Sequence, residues 1–175
     1  MIERLGWVDK LPRTMTWIGI DPGLTGAVAF LCSDGTYNVA DIPVIDTSAR
    51  GKVRTMVNAR ALANLIIDLD QSDFSRTTVM LEQTAAMPGQ GVSSMFSMGD
   101  SFGACRGVIA TLGLSFELVR PAKWKKAMGL TDEKGLARAK AVQMFPNVGH
   151  LLSRVKDHNR AEALLLAEYG CRQHQ

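Results

Sequence analysis

At 175 residues the chain is long enough for one domain with a sizeable core and too short for two ordinary ones. Its composition, 46% hydrophobic and 21% charged, is that of a globular protein and excludes a disordered tail; no apolar run approaches the ~20 residues that span a bilayer, so no membrane partner is expected. The net charge of +3 is spread unevenly: Arg120 to Arg160 holds ten Lys and Arg against three acids, while the rest holds ten against fourteen.

A basic segment on a mildly acidic body suits a polyanionic partner, and a solvated basic face without a partner is the alternative. Residues 1–15 carry no periodic pattern and lack the apolar core of a secretory signal, so they read as a flexible N-terminal arm before a domain spanning 16–175. From Thr16 the chain reads strand, turn, strand: TWIGID, PGLTG, AVAFLCS. Asp34-Gly35 is a two-residue hairpin signal, and TYNVADIPVI follows as a third strand. Thr47 to Arg54 is polar and reads as a loop. NARALANLIIDL is a helix with Ala61, Leu62, Leu65, Ile66 and Leu69 on one stripe. TTVMLE is a short apolar strand that ends in an acid, and AAMPGQGVSS is turn-rich.

FSMGDSFGACRGVIATLG reads as a helix despite its glycines, which allow a helix to pack closely on a partner. SFELV is a fifth strand, and Pro121 opens a short helix, AKWKKAM. EKGLARAKAVQMF is a helix ended by Pro146, and RAEALLLAEYG is the last, closed by Gly170. Three strands, then helix, strand, helix, strand and helices, predict an α/β domain with a five-stranded mixed sheet flanked by helices. Cys32, Cys105 and Cys171 are odd in number, widely spaced and without CxxC pairing. Free thiols in a reducing cytoplasm, and no zinc site, are expected.

Asp21 and Glu82 each end a strand, and Glu162 lies near the start of the last helix with Asp157 just upstream. Carboxylates on such rigid supports can converge to hold hard divalent ions, and two such ions about 4 Å apart stabilise the attacking and leaving oxygens in phosphodiester hydrolysis. Each acid has a plainer role: Asp21 as a turn residue before Pro-Gly, Glu82 as a strand's exit to solvent, Asp157 as a helix cap, Glu162 as a first-turn acid favoured by the helix dipole. At ~100° per residue, Asp157 and Glu162 point ~140° apart if both are helical. They can share an ion only if Asp157 stands in the cap or before it. Asp157 is the preferred fourth ligand and His158 the rival.

WIGIDPGLTGAVAF resembles the first hairpin of RuvC-type Holliday-junction resolvases, and MLEQ resembles their strand-end Glu-Gln. PAKWKKAMGLTDEKGLARAKAVQMFP and KDHNRAEALLLAEYG are similar to the closing half of phage and bacterial RuvC-like proteins, the second also to plant chloroplast junction resolvases. The likeness runs from about Trp17 to Gly170 and implies an RNase H-like fold (the ribonuclease H/retroviral integrase type). It further implies a homodimer that nicks four-way junction DNA in recombination, repair or phage genome processing, in a bacterial cell or phage-infected host, with Mg²⁺ as cofactor and Mn²⁺ able to substitute. Asp21, Glu82 and Glu162 carry over as ligands by motif. Many bacterial relatives have two acids three residues apart at the last helix, which falls here on Asn159 and Glu162; the chloroplast-like pattern has its Asp where Asp157 stands.

Lys123, Lys125, Lys126, Lys134, Arg138, Lys140 and Arg160 would hold phosphates, which confers affinity without sequence choice. Trp124, between lysines, either stacks on a base or anchors its helix in the core. The aromatic that some relatives place three residues after the strand-end Glu is Ala85 here, leaving Met87 or Phe96 for that role. The helix from Ser94 to Leu112, with Gly99, Gly103, Ala104 and Gly107, is expected near the two-fold axis. Rival readings are an RNase H-like nuclease acting on RNA–DNA hybrid or structured RNA, a sugar-kinase/actin-type phosphate loop, which needs two such domains, and a catalytically inactive DNA-binding subunit, against which the retained acids argue.

Overall fold

Strand β1 (Thr16–Asp21) and strand β2 (Ala27–Cys32) are buried along almost their whole length on both faces, which is why their sequences run nearly continuously apolar instead of alternating. They belong to a computed structural model that describes residues 14–49, 52–70, 74–86, 88–131 and 135–174. The expected arm therefore lies outside the described residues up to residue 13; Thr14 and Met15 have no regular structure, and Met15 pairs its backbone with Ser33. β2 pairs antiparallel with β1, Ile18 facing Phe30, and with β3 (Tyr37–Asp41), through a hairpin whose Gly35 has φ +86°. That angle is easy for glycine and strained for other residues.

Two strands reached through helices complete the sheet: β6 (Thr77–Glu82) lies parallel to β1, and β7 (Ser115–Val119) parallel to β6. The order β3-β2-β1-β6-β7, with three antiparallel strands followed by two parallel ones, is the five-stranded mixed sheet expected from the sequence. Ile18, Ile20, Val28, Phe30, Val79 and Leu81 face helices α1 (Ala59–Leu69) and α2 (Val92–Thr111), meeting Leu62, Ile66, Cys105 and Ile109. The opposite face carries Ala27, Ala29 and Met80 against α3 (Pro121–Ala127), α4 (Leu136–Met144) and α5 (His158–Gln173). α5 lies so close on β1 that a Cβ at Gly19 would collide with the backbone of Ala163 and Ala167.

Five sequence expectations are corrected. The stretch read as a polar loop, Thr47 to Arg54, belongs to an antiparallel pair, β4 (Val44–Ala49) and β5 (Lys52–Val57), and the expected third strand is split between β3 and β4. The pair carries β-branched residues at Val44, Ile45, Thr47, Val53, Thr55 and Val57, and β-branched side chains suit a pleated surface; Thr55 donates to Asp46 across the ladder, and the Thr47 hydroxyl to the Arg54 carbonyl. α2 starts at Val92, inside the segment expected to be turn-rich. α4 begins only at Leu136 and is followed by 3₁₀ turns at Pro146–Leu152 and Val155–Asp157. Gly170 does not close α5, which runs on to Gln173; a Cβ there would strike Met80, so this glycine serves close packing.

Candidate active site

Asp21 and Glu82 end neighbouring parallel strands, β1 and β6, and so emerge side by side at the edge where ligands of open α/β sheets usually bind. The loop after Asp21 folds tightly back, with the Gly26 N–H donating to the Gly23 carbonyl at 3.1 Å; a Cβ at Gly26 would run into the Asp21 carbonyl. Asn159 of α5 donates its side-chain amide to the Thr25 carbonyl, tying this loop to the helix that carries Glu162. Glu162 stands in the second turn of α5, because the helix begins earlier than expected, at His158.

The three carboxylates feel one another. Asp21 is raised to about 7, first by burial and then by the charges of Glu82 and Glu162, with Lys125 opposing. Glu82 is also raised, chiefly by burial, against a hydrogen bond from Trp124 and the charge of Lys125. Trp124 is fully buried and its indole N–H donates to Glu82 Oε2 at 2.6 Å. Of the two roles open to it, the structure gives the anchor. The next residue, Lys125, puts its ammonium 3.1 and 3.0 Å from the two oxygens of Glu162. One short helix, α3, thus holds two of the three acids. Cys105, buried near Asp21, is pushed up to about 12 by burial and then by that carboxylate, so its thiol stays protonated and is no nucleophile.

Asp157 is not part of this group. It is only 1% exposed, and both its oxygens are engaged by Arg154: Nε and Nη2 donate to Oδ1 at 2.9 and 2.7 Å, and the backbone N–H to Oδ2 at 2.7 Å. Those hydrogen bonds hold its carboxyl below the usual range. Arg154 and Arg160 also pair with Asp41 at the end of β3. Asp157, expected as the fourth ligand, stands at the cap of α5, and the neighbouring Arg154 engages both its oxygens. His158, the rival, opens α5 and is exposed.

The predicted phosphate-binding residues divide. Lys123 and Lys126 are exposed on α3. Lys125 is turned into the acid group, Arg160 is bound to Asp41, and Arg138 donates to the Leu152 carbonyl, so these three are committed internally. Lys140 is partly exposed on α4, and Lys134 lies outside the described residues, as does Met87. Ala85 is exposed; Phe96 is 61% exposed and lies under the Arg54 guanidinium, 4.7 Å from the ring centre. Sequence reasoning missed Arg154 and Asp41; an Arg three residues before an Asp at a helix start was the available signal.

Oxygen donors alone make up the acid group, a set suited to a hard divalent ion. Among the described residues, no three His, Cys, Asp or Glu side chains converge closely enough to hold an ion as they stand. At Glu162 it is Lys125 that occupies both oxygens.

No family model matches the chain. It is 31% identical over 94 residues to the chloroplastic Holliday junction resolvase MOC1 of Chlamydomonas reinhardtii, a match covering 51% of this chain and spanning about a tenth (10%) of that relative. Two solved structures of Thermus thermophilus RuvC also align over 91% of the chain. One, in complex with a Holliday junction substrate, gives a TM-score of 0.49 at 12% identity and 96% coverage of that chain; the other gives 0.45 at 15% and 97%.

Proposed function

We propose that this chain is a metal-dependent endonuclease that resolves four-way DNA junctions as a RuvC-like homodimer. The observation that carries the reading is that Asp21 and Glu82 end adjacent parallel strands, while Lys125, whose charge acts on both, is paired with Glu162; Lys123 and Lys126 are exposed on the same helix as Lys125. The similarity to a junction resolvase over half the chain supports the choice of substrate.

Asp21, Glu82 and Glu162 would hold the metal, with Mg²⁺ favoured by the all-oxygen donor set. When bound, such ions activate water and offset charge on the oxygens around phosphorus. The chain's own residues do the rest. Trp124 fixes one oxygen of Glu82 through its indole N–H, leaving the other for coordination. Asp21 keeps its proton up to near neutral pH while no cation is bound. Lys123 and Lys126 are available to orient the phosphate backbone. Gly99, Gly103 and Gly107 have open space where a Cβ would stand, which favours close approach of a second α2 in the dimer. Sedimentation of a junction-bound monomer would remove that dimer. The free thiols Cys32, Cys105 and Cys171 accord with a reducing cytoplasm, of a bacterial cell or phage-infected host.

The test is a cleavage panel: synthetic four-way junction, linear duplex, fork and RNA–DNA hybrid, each with and without Mg²⁺. Paired nicks in the junction alone, dependent on Mg²⁺, are expected. Preferred cleavage of the hybrid would replace this reading with an RNase H-type one.

A further inference from the structure

Lys125 sits within an acid group, not on the outer face of its helix. Its Nζ contacts both oxygens of Glu162, and its charge also acts on Asp21 and Glu82, so one ammonium serves all three carboxylates. Both partners of the ion pair are largely shielded, with about a quarter and a fifth of their side chains exposed (24% and 21%). The position is rigidly set: Trp124, fully buried next door, pins α3 to Glu82, while Pro121 begins the helix. Lys123 and Lys126 are exposed on the same short helix.

We infer that Lys125 is an internal counter-ion that competes with a divalent metal for Glu162, and that a phosphate backbone arriving at α3 draws it off, so that metal and DNA bind cooperatively. The inference rests on the metal-site reading above. An ion bound at Glu162 must share that carboxylate with an ammonium or displace it, and two cations on one carboxylate repel. The displaced ammonium needs a new anion, and a phosphate near Lys123 and Lys126 is within the reach of a four-carbon stem. Anything that stabilises the displaced state raises metal affinity, and by linkage the metal raises DNA affinity by the same factor.

The test is Mn²⁺ binding to the full chain by calorimetry, without DNA, for wild type, K125M and K125R. K125M should bind Mn²⁺ more tightly by about ten-fold or more, a discount on the bare Coulomb ratio because the pair is partly exposed. K125R keeps the charge and should stay near wild type. Equal or weaker binding by K125M overturns the inference. A second measurement needs no variant: the side-chain ammonium resonance of Lys125, held while paired with Glu162, should shift or vanish as Mg²⁺ saturates the protein. A resonance unchanged at saturation also overturns it. Neither measurement involves cleavage. A chain that fails on junction DNA but gains Mn²⁺ affinity in K125M would lose the proposed substrate and keep this inference; an active nuclease with no gain would do the reverse.

Discussion

Two clusters of acids stand at the same end of α5, and their environments oppose each other. Asp21 and Glu82 are raised, first by burial, with one shared ammonium among three carboxylates. Asp157 and Asp41 are lowered, first by hydrogen bonds from Arg154 and Arg160. The second cluster has a guanidinium for each carboxylate and joins the start of α5 to β3. Both of its carboxylates are engaged by guanidinium groups. The first carries an excess of negative charge that the fold does not cancel, and such an excess draws a cation from outside. Matched charges mark structure; unmatched ones mark chemistry.

The sharpest way to break this contrast is to remove one acid from each cluster. Asp21→Asn and Glu82→Gln should reduce junction cleavage by roughly a hundred-fold or more, as loss of a preorganised charge at a reacting centre does, with junction binding in gel shift largely kept. Near wild-type cleavage by either variant would remove the first cluster from catalysis. Asp157→Asn should cleave, per folded molecule, within a few-fold of wild type. Its cost should fall on stability, on the order of 1–3 kcal/mol, because Arg154 loses its buried partner; denaturant midpoints measure it. An inactive but stable Asp157→Asn would return that residue to the metal site.

The pH dependence of stability sharpens the same contrast because the two signs differ. Asp21 has its ordinary value of 3.8 unfolded and about 7 folded, so the native state binds the extra proton. Its ionisation therefore costs nothing below the unfolded value, costs progressively more as pH rises between the two, and costs fully above the folded value, on the order of a few kcal/mol. In EDTA, Asp21→Asn should be more stable than wild type at about pH 8 and nearly equal to it at about pH 4. Asp157 is lowered, so it contributes above its unfolded value and loses that contribution as pH falls through the folded one. Unfolding curves in which both variants shift the same way at the higher pH would contradict the assignment.

Much of this was readable in the sequence where burial imposes a pattern. β1, β2 and β6 are buried apolar runs bounded by turn residues, and the strand-end acids Asp21 and Glu82 follow from where β1 and β6 stop. The β4–β5 pair was not readable as strands by hydrophobicity, since Val57 is buried but Val44, Ile45 and Val53 are exposed and polar residues lie between them; its signal was β-branching. The partner of Asp157 was hidden for another reason. At a helix cap the backbone leaves the side chain's direction open, and the deciding partner was an Arg three residues earlier. Gly170 shows the same limit from the other side: a glycine near a helix end reads as a stop, and only the approach of Met80 reveals why it is there.

The smallest effect concerns the lysines of α3. Three lie within four residues, and nothing in their spacing separates them; the structure turns Lys125 into the acids and leaves Lys123 and Lys126 outside. Neutralising Lys123 and Lys126 together should weaken junction binding about equally for all sequences, since phosphate contacts carry no base information. The slope of log affinity against log salt should fall in magnitude by up to about two, one per lysine that releases a counterion. Lys125→Gln alone should change that slope only if phosphate draws the ammonium off Glu162, at the expense of the ion pair. A slope unaltered in the Lys123/Lys126 double variant would make both residues part of a solvated face, and the DNA path would then have to cross the molecule away from α3.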